Sequence, residues 1–174
     1  MAGSTGILLG TALYYAENYE GALSQLKHSV ELDSSLWIGH ANMGLVLDRL
    51  GSTEEAVAEF RLAVQHSENG ALAKAHLACG LAEWGDKPGA REILNSLLRL
   101  RQRQYFSPYW IAVIHMALNE PPEALKWLEI ATEERCSWIV FMRQDPKFAV
   151  LRSDGRFRHI VDSIRPPHGI GSPP

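Results

Sequence analysis

The chain has 174 residues, 46% of them hydrophobic, with 17 basic and 20 acidic side chains; this is the length and apolar content of one folded domain and excludes a highly charged disordered segment. Its two cysteines, Cys79 and Cys136, stand far apart, which excludes a disulfide framework or a paired-cysteine metal knuckle and reads as reduced thiols of a cytoplasmic protein. No apolar run nears the roughly 20 residues that cross a bilayer, so a soluble protein with no membrane partner is expected.

The apolar start, Ile7 through Ala16, has no preceding Lys or Arg, so it reads as a first helix and not as an export signal. It opens a 34-residue period that continues without insertion or deletion: repeats 3–36, 37–70, 71–104 and 105–138 each hold a helix, a short turn and a second helix. The eighth position of each repeat is small (Gly10, Gly44, Ala78, Ala112), and so is the twentieth (Ala22, Ala56, Ala90, Ala124), which lets the two helices of a hairpin approach closely. Larger residues surround that contact: Leu9, Met43, Leu77 and Ile111 on first helices, and Leu26, Phe60, Leu94 and Leu128 on second helices. The three-to-four spacing of Ala56, Val57, Phe60, Ala63 and Val64 predicts an amphipathic helix.

Turn chemistry marks the same boundaries. Gly51, Gly85 and Asn119 share a column where a left-handed helix end suits Gly and tolerates Asn. Ser52 with Glu55 forms a capping-box pattern, Asp86 can cap the following helix, and Pro88, Pro121 and Pro122 fall in first turns. A strict period of hairpins, each burying its apolar face only against a neighbour, predicts an all-α solenoid.

After the repeats, Trp138, Asp145, Pro146, Phe148, Leu151, Asp154, Phe157, Ile160 and Ile164 read as a short helix, a proline turn and a last helix from about Asp154. Residues 139–165 are expected to cap the solenoid, with Arg156, Arg158, His159 and Asp162 on the wet side. Residues 166–174, rich in Pro and Gly, are expected to be a disordered tail. Charge divides unevenly: residues 1–134 hold 10 basic and 17 acidic side chains, residues 135–174 hold 7 and 3, and a basic end favours an acidic partner.

The columns resemble the tetratricopeptide repeat family, including its small twenty-seventh residue (Ser29, Ala63, Ala131; Leu97 departs). The aromatic usual at the fourth position is replaced by Gly6, His40, Lys74 and Pro108, and the proline near each repeat's end is missing at Ser34, Glu68 and Gln102. The ending is similar to that which closes such repeats in bacterial multidomain signalling proteins. The resemblance implies a right-handed α-solenoid of four hairpins, a module that binds a protein or peptide in a groove lined by the first helices; the alternative is a regulatory or sensor segment acting on an effector protein.

The groove positions carried over are Ile7, Thr11, Tyr14 and Tyr15, then Ile38, Ala41, Leu45, Asp48 and Arg49. Leu72, Ala75, Cys79, Ala82 and Glu83 follow, then Phe106, Tyr109, Val113, Met116 and Ala117. Most are apolar, so an amphipathic helix or apolar peptide is the expected ligand unless these side chains are core, covered by the next repeat or by the chain's own tail. Of the clamp that family members use to hold the acidic C-terminus of heat-shock chaperones, only Asn42 is matched; Ile7, Thr11, Leu72 and His76 stand at the other places and cannot neutralise a carboxylate.

No catalytic or cofactor motif is found: no phosphate-binding Gly loop, no nucleophile elbow, no His-Glu-x-x-His, and no two of the seven histidines three or four apart on one helix. A non-enzyme without cofactor or metal is expected. Arg99, Arg101 and Arg103 alternate around a helix end instead of forming a stripe, which argues against nucleic acid. An uncapped first repeat is a surface on which a second copy can pair, giving a homodimer.

Overall fold

The computed structural model describes residues 2–164, with side chains from residue 5 onward; the tail expected at 166–174 lies outside the described residues. The elements in chain order are α1 (Ala2–Tyr15), α2 (Tyr19–Leu32), α3 (Trp37–Arg49), α4 (Thr53–His66), α5 (Ala71–Trp84), α6 (Lys87–Arg101), α7 (Pro108–Ala117), α8 (Pro121–Glu133) and α9 (Gly155–Ser163). Two short 3-10 turns, Ser137–Phe141 and Pro146–Leu151, stand between α8 and α9. Among the described residues there is no strand, so the fold is all-α.

Two compact parts result: residues up to Phe106 with Ala117–Asn119, and Ser107–Met116 with the residues from Glu120 onward. In the N-terminal part each helix packs on the next, and the first helices of successive hairpins also touch, α1 on α3 and α3 on α5. The hairpins close over the small eighth residues. A methyl group on Gly10 would sit 2.6 Å from Leu26, and one on Gly44 would sit 2.5 Å from the Phe60 ring. Gly80, one repeat on, meets the other edge of the same ring, again at 2.5 Å, so Phe60 is gripped between the glycines of two hairpins. Ala22, Ala56 and Ala90, the small twentieth residues, are buried as well.

The turns follow from backbone chemistry. Gly51 and Gly85 adopt φ of +83° and +103°, where a Cβ would strain the chain. Asn119 (φ 62°) and Glu17 (φ 59°) hold the same column. Asp86 accepts from the Gly89 amide at 3.0 Å, capping α6. The capping box expected at Ser52 is not formed: Ser52 holds the N-cap place of α4, but its side chain makes no cap hydrogen bond, leaving Glu54 and Glu55 in the first turn to complement the helix dipole.

The missing aromatics of the fourth column also find reasons. Any Cβ at Gly6 would collide with Ser29. His40 is buried, stacks on His66 at 5.2 Å between ring centres, and bonds Glu59 Oε2 (2.7 Å) and the Ser34 carbonyl (3.0 Å) through its two ring nitrogens.

In the C-terminal part an aromatic series runs Trp138, Trp110, Tyr109, Phe148, Phe157, with ring centres 5.3 to 6.1 Å apart. Edge-on contacts of this kind hold shape as well as burying area. The Tyr109 hydroxyl donates to Asp145 Oδ2 at 2.5 Å, while Asp145 Oδ1 accepts from the Lys147 amide and caps the second 3-10 turn. Asp154 caps α9 by accepting from the amides of Arg156 and Phe157. α9 lies on α8, buries Phe157 and Ile160, and pairs Arg156 with Glu129 at 2.8 Å.

Candidate functional site

Because α1 packs on α3 and α3 on α5, the three first helices stand side by side in the N-terminal part. Two polar links tie α1 to α3. Thr11 Oγ1 donates to the Ile7 carbonyl within α1 and accepts from Asn42 Nδ2 of α3, both at 2.8 Å. The one side chain that matched the chaperone clamp therefore already has a partner in its own fold. Arg49, half-buried, is the second link: burial works against its charge, but a hydrogen bond with the Tyr14 hydroxyl and the nearby Asp48 outweigh this and hold the guanidinium above its ordinary pKa.

Eleven of the groove positions named from the sequence, together with Asn42, divide sharply by exposure. Ala41, Ala75, Cys79, Phe106, Tyr109 and Val113 are buried; Asn42, Leu45, Arg49, Leu72 and Met116 are half-buried; Ile38 is 43% exposed. Leu45 also packs against the core made by Ile7, Tyr14, Leu26 and Val46. Tyr109 is only 1% exposed, and what meets it is its own chain, through Asp145 and Phe148. In the C-terminal part, Tyr109 and Val113 are thus core. Among the groove positions of the N-terminal part, the apolar side chains left accessible are Tyr15, Ile38 and portions of Leu45 and Leu72.

Among the described residues, no group of three or more His, Cys, Asp or Glu side chains could hold a metal ion. Neither cysteine is in a disulfide, and both are buried; Cys136 Sγ lies 3.0 Å from Ser107 Oγ. Among the described residues, no helix is long and apolar enough to cross a membrane.

No protein-family profile matches this sequence, and no curated protein does. Solved structures do. The chain is similar to YrrB, a tetratricopeptide-repeat protein described as having an unusual peptide-binding site, with 18% identity over 91% of this chain and 82% of that one (TM-score 0.51). It is similar to a tetratricopeptide repeat protein from Parabacteroides merdae, with 12% identity over 93% of this chain and 64% of that one (TM-score 0.54). The MamA RS-1 ArsTM double mutant matches with 15% identity over 93% and 96% of the two chains (TM-score 0.53). At these identities the likeness is one of fold, and the fold is that of stacked tetratricopeptide hairpins.

Proposed function

We propose that the chain is a non-catalytic binding module whose odd-helix face takes an apolar helix or peptide of a protein partner. The observation that carries this reading is the set of incompletely covered apolar side chains, Tyr15, Ile38, Leu45 and Leu72, at groove positions of α1, α3 and α5, with α3 packed on both of the others. Exposed apolar side chains on one face favour a covering partner, and the Thr11–Asn42 hydrogen bond ties α1 to α3 there before a ligand arrives, which lowers the entropy cost of binding. Residues 139–165 serve in this reading as the closing element, and YrrB's peptide site is a precedent for the fold's use in binding.

A peptide selected against the full chain from a displayed library should be amphipathic and apolar on one side. Changing both Ile38→Asp and Leu72→Asp should weaken its binding about tenfold or more, roughly 1.4 kcal/mol, with an unchanged far-ultraviolet spectrum. Leu62→Asp, on α4 and partly exposed, should leave binding intact. Equal loss in both variants, or none in the first, would place the ligand elsewhere.

A further inference from the structure

The C-terminal part carries a second surface, independent of the odd-helix face. A cleft of about 290 Å³ is lined by Arg143, Arg152, Phe157, Arg158, Val161 and Asp162. Its three arginines come from three segments: the bend after Ser137–Phe141, the end of Pro146–Leu151, and α9. All three are exposed, and none has an ion-pair partner among the described residues. Arg156, also on α9, is by contrast paired with Glu129.

The local carboxylates explain the imbalance. Asp145 is held by the Tyr109 hydroxyl and the Lys147 amide, and Asp154 by the first amides of α9, so Asp162 alone faces the cleft. Like charges converging on one concavity disfavour each other, and an anion seated among them relieves this. Guanidinium groups receive a carboxylate as a fork, with two parallel hydrogen bonds.

We propose that this cleft binds an acidic peptide segment of a partner protein. A Glu or Asp side chain meets the arginines, and a neighbouring apolar side chain lies against Phe157 and Val161. Asp162 favours a peptide over a phosphate-rich polymer: it repels a string of phosphates but accepts from a peptide amide.

The test uses the full chain and a fluorescein-labelled peptide, Gly-Glu-Asp-Leu-Glu-Glu-Phe, followed by fluorescence anisotropy at about 0.05 M and about 0.3 M salt. Binding should weaken with salt. Arg143→Glu, Arg152→Glu and Arg158→Glu should each lower affinity about fivefold or more, with melting curves unchanged because these side chains are exposed. Arg103→Glu, the same charge change in the N-terminal part, should leave affinity as it was, and so should Ile38→Asp, which separates this cleft from the odd-helix face.

Three results would each overturn the proposal. Arg103→Glu could weaken binding as much as the cleft variants, which would make net charge the cause. A Gln and Asn version of the peptide could bind equally well. Inorganic phosphate or a single-stranded oligonucleotide could displace the peptide at concentrations below the peptide's own dissociation constant, which would make the ligand a phosphate.

Discussion

Replacing Phe60 with alanine is expected to lower the unfolding free energy by about 3–5 kcal/mol and the melting temperature by about 6–20 °C. The ring is 1% exposed and is gripped by Gly44 of its own hairpin and Gly80 of the next. Deleting it removes the transfer energy of a large aromatic side chain and leaves a void walled by two helix positions with no side chain to fall inward. A site that cannot collapse lies toward the costly end of the range for such substitutions. Phe60→Leu keeps most of the volume and should cost about 1.5 kcal/mol or less, while Leu62→Ala, on the exposed side of the same helix, should stay within about 0.5 kcal/mol. Thermal and urea unfolding followed by circular dichroism measure all three. A loss below about 1.5 kcal/mol for Phe60→Ala would mean that Gly44 and Gly80 do not grip the ring.

Asp145→Ala should destabilise the C-terminal part by about 2.5–4 kcal/mol, from a lost cap worth about 1 kcal/mol and a lost buried hydrogen bond to a charged group worth about 1.5–3 kcal/mol. Tyr109→Phe removes only the second of these. The double variant should therefore cost less than the two single losses added together, with a coupling of about 0.5–3 kcal/mol. Limited proteolysis should cut Asp145→Ala first between Lys147 and Arg158, because the second 3-10 turn is held by that carboxylate and by Phe148 against Tyr109. Additive losses would show that the hydroxyl and the carboxylate do not share a bond.

The hairpins were readable because their rules are local. Gly10 lies under Leu26 and Gly44 under Phe60, pairings that the column of small residues predicts, and Gly51, Gly85 and Asn119 take the left-handed turns that their chemistry suits. Glu17 takes the same conformation, but glutamate carries no signature for it, so only its place in the period could have pointed there. Ser52 shows the converse: the capping pattern is present and the bond is not, because a side-chain rotamer is settled by neighbours that a four-residue motif does not see.

The candidate face was half legible. The register says which way a side chain points from its helix, not what arrives over it. Ile38 and Leu72 point outward and remain at least partly accessible, whereas Tyr109 meets an aspartate 36 residues further along the chain. The arginine cleft had one trace in the sequence, the excess of basic residues after residue 134. The convergence of Arg143, Arg152 and Arg158 depends on two 3-10 turns and a helix folding back on one another, which no periodicity encodes.

In the N-terminal part every helix answers to those beside it in the chain or one hairpin away, so no segment waits on a distant one to find its place. Order can begin in any hairpin and zip outward in both directions, at the speed of a topology with short loops to close. Such a stack can also gain or lose one whole hairpin and keep its remaining joints intact, which lets its reach change in steps without inventing a new core.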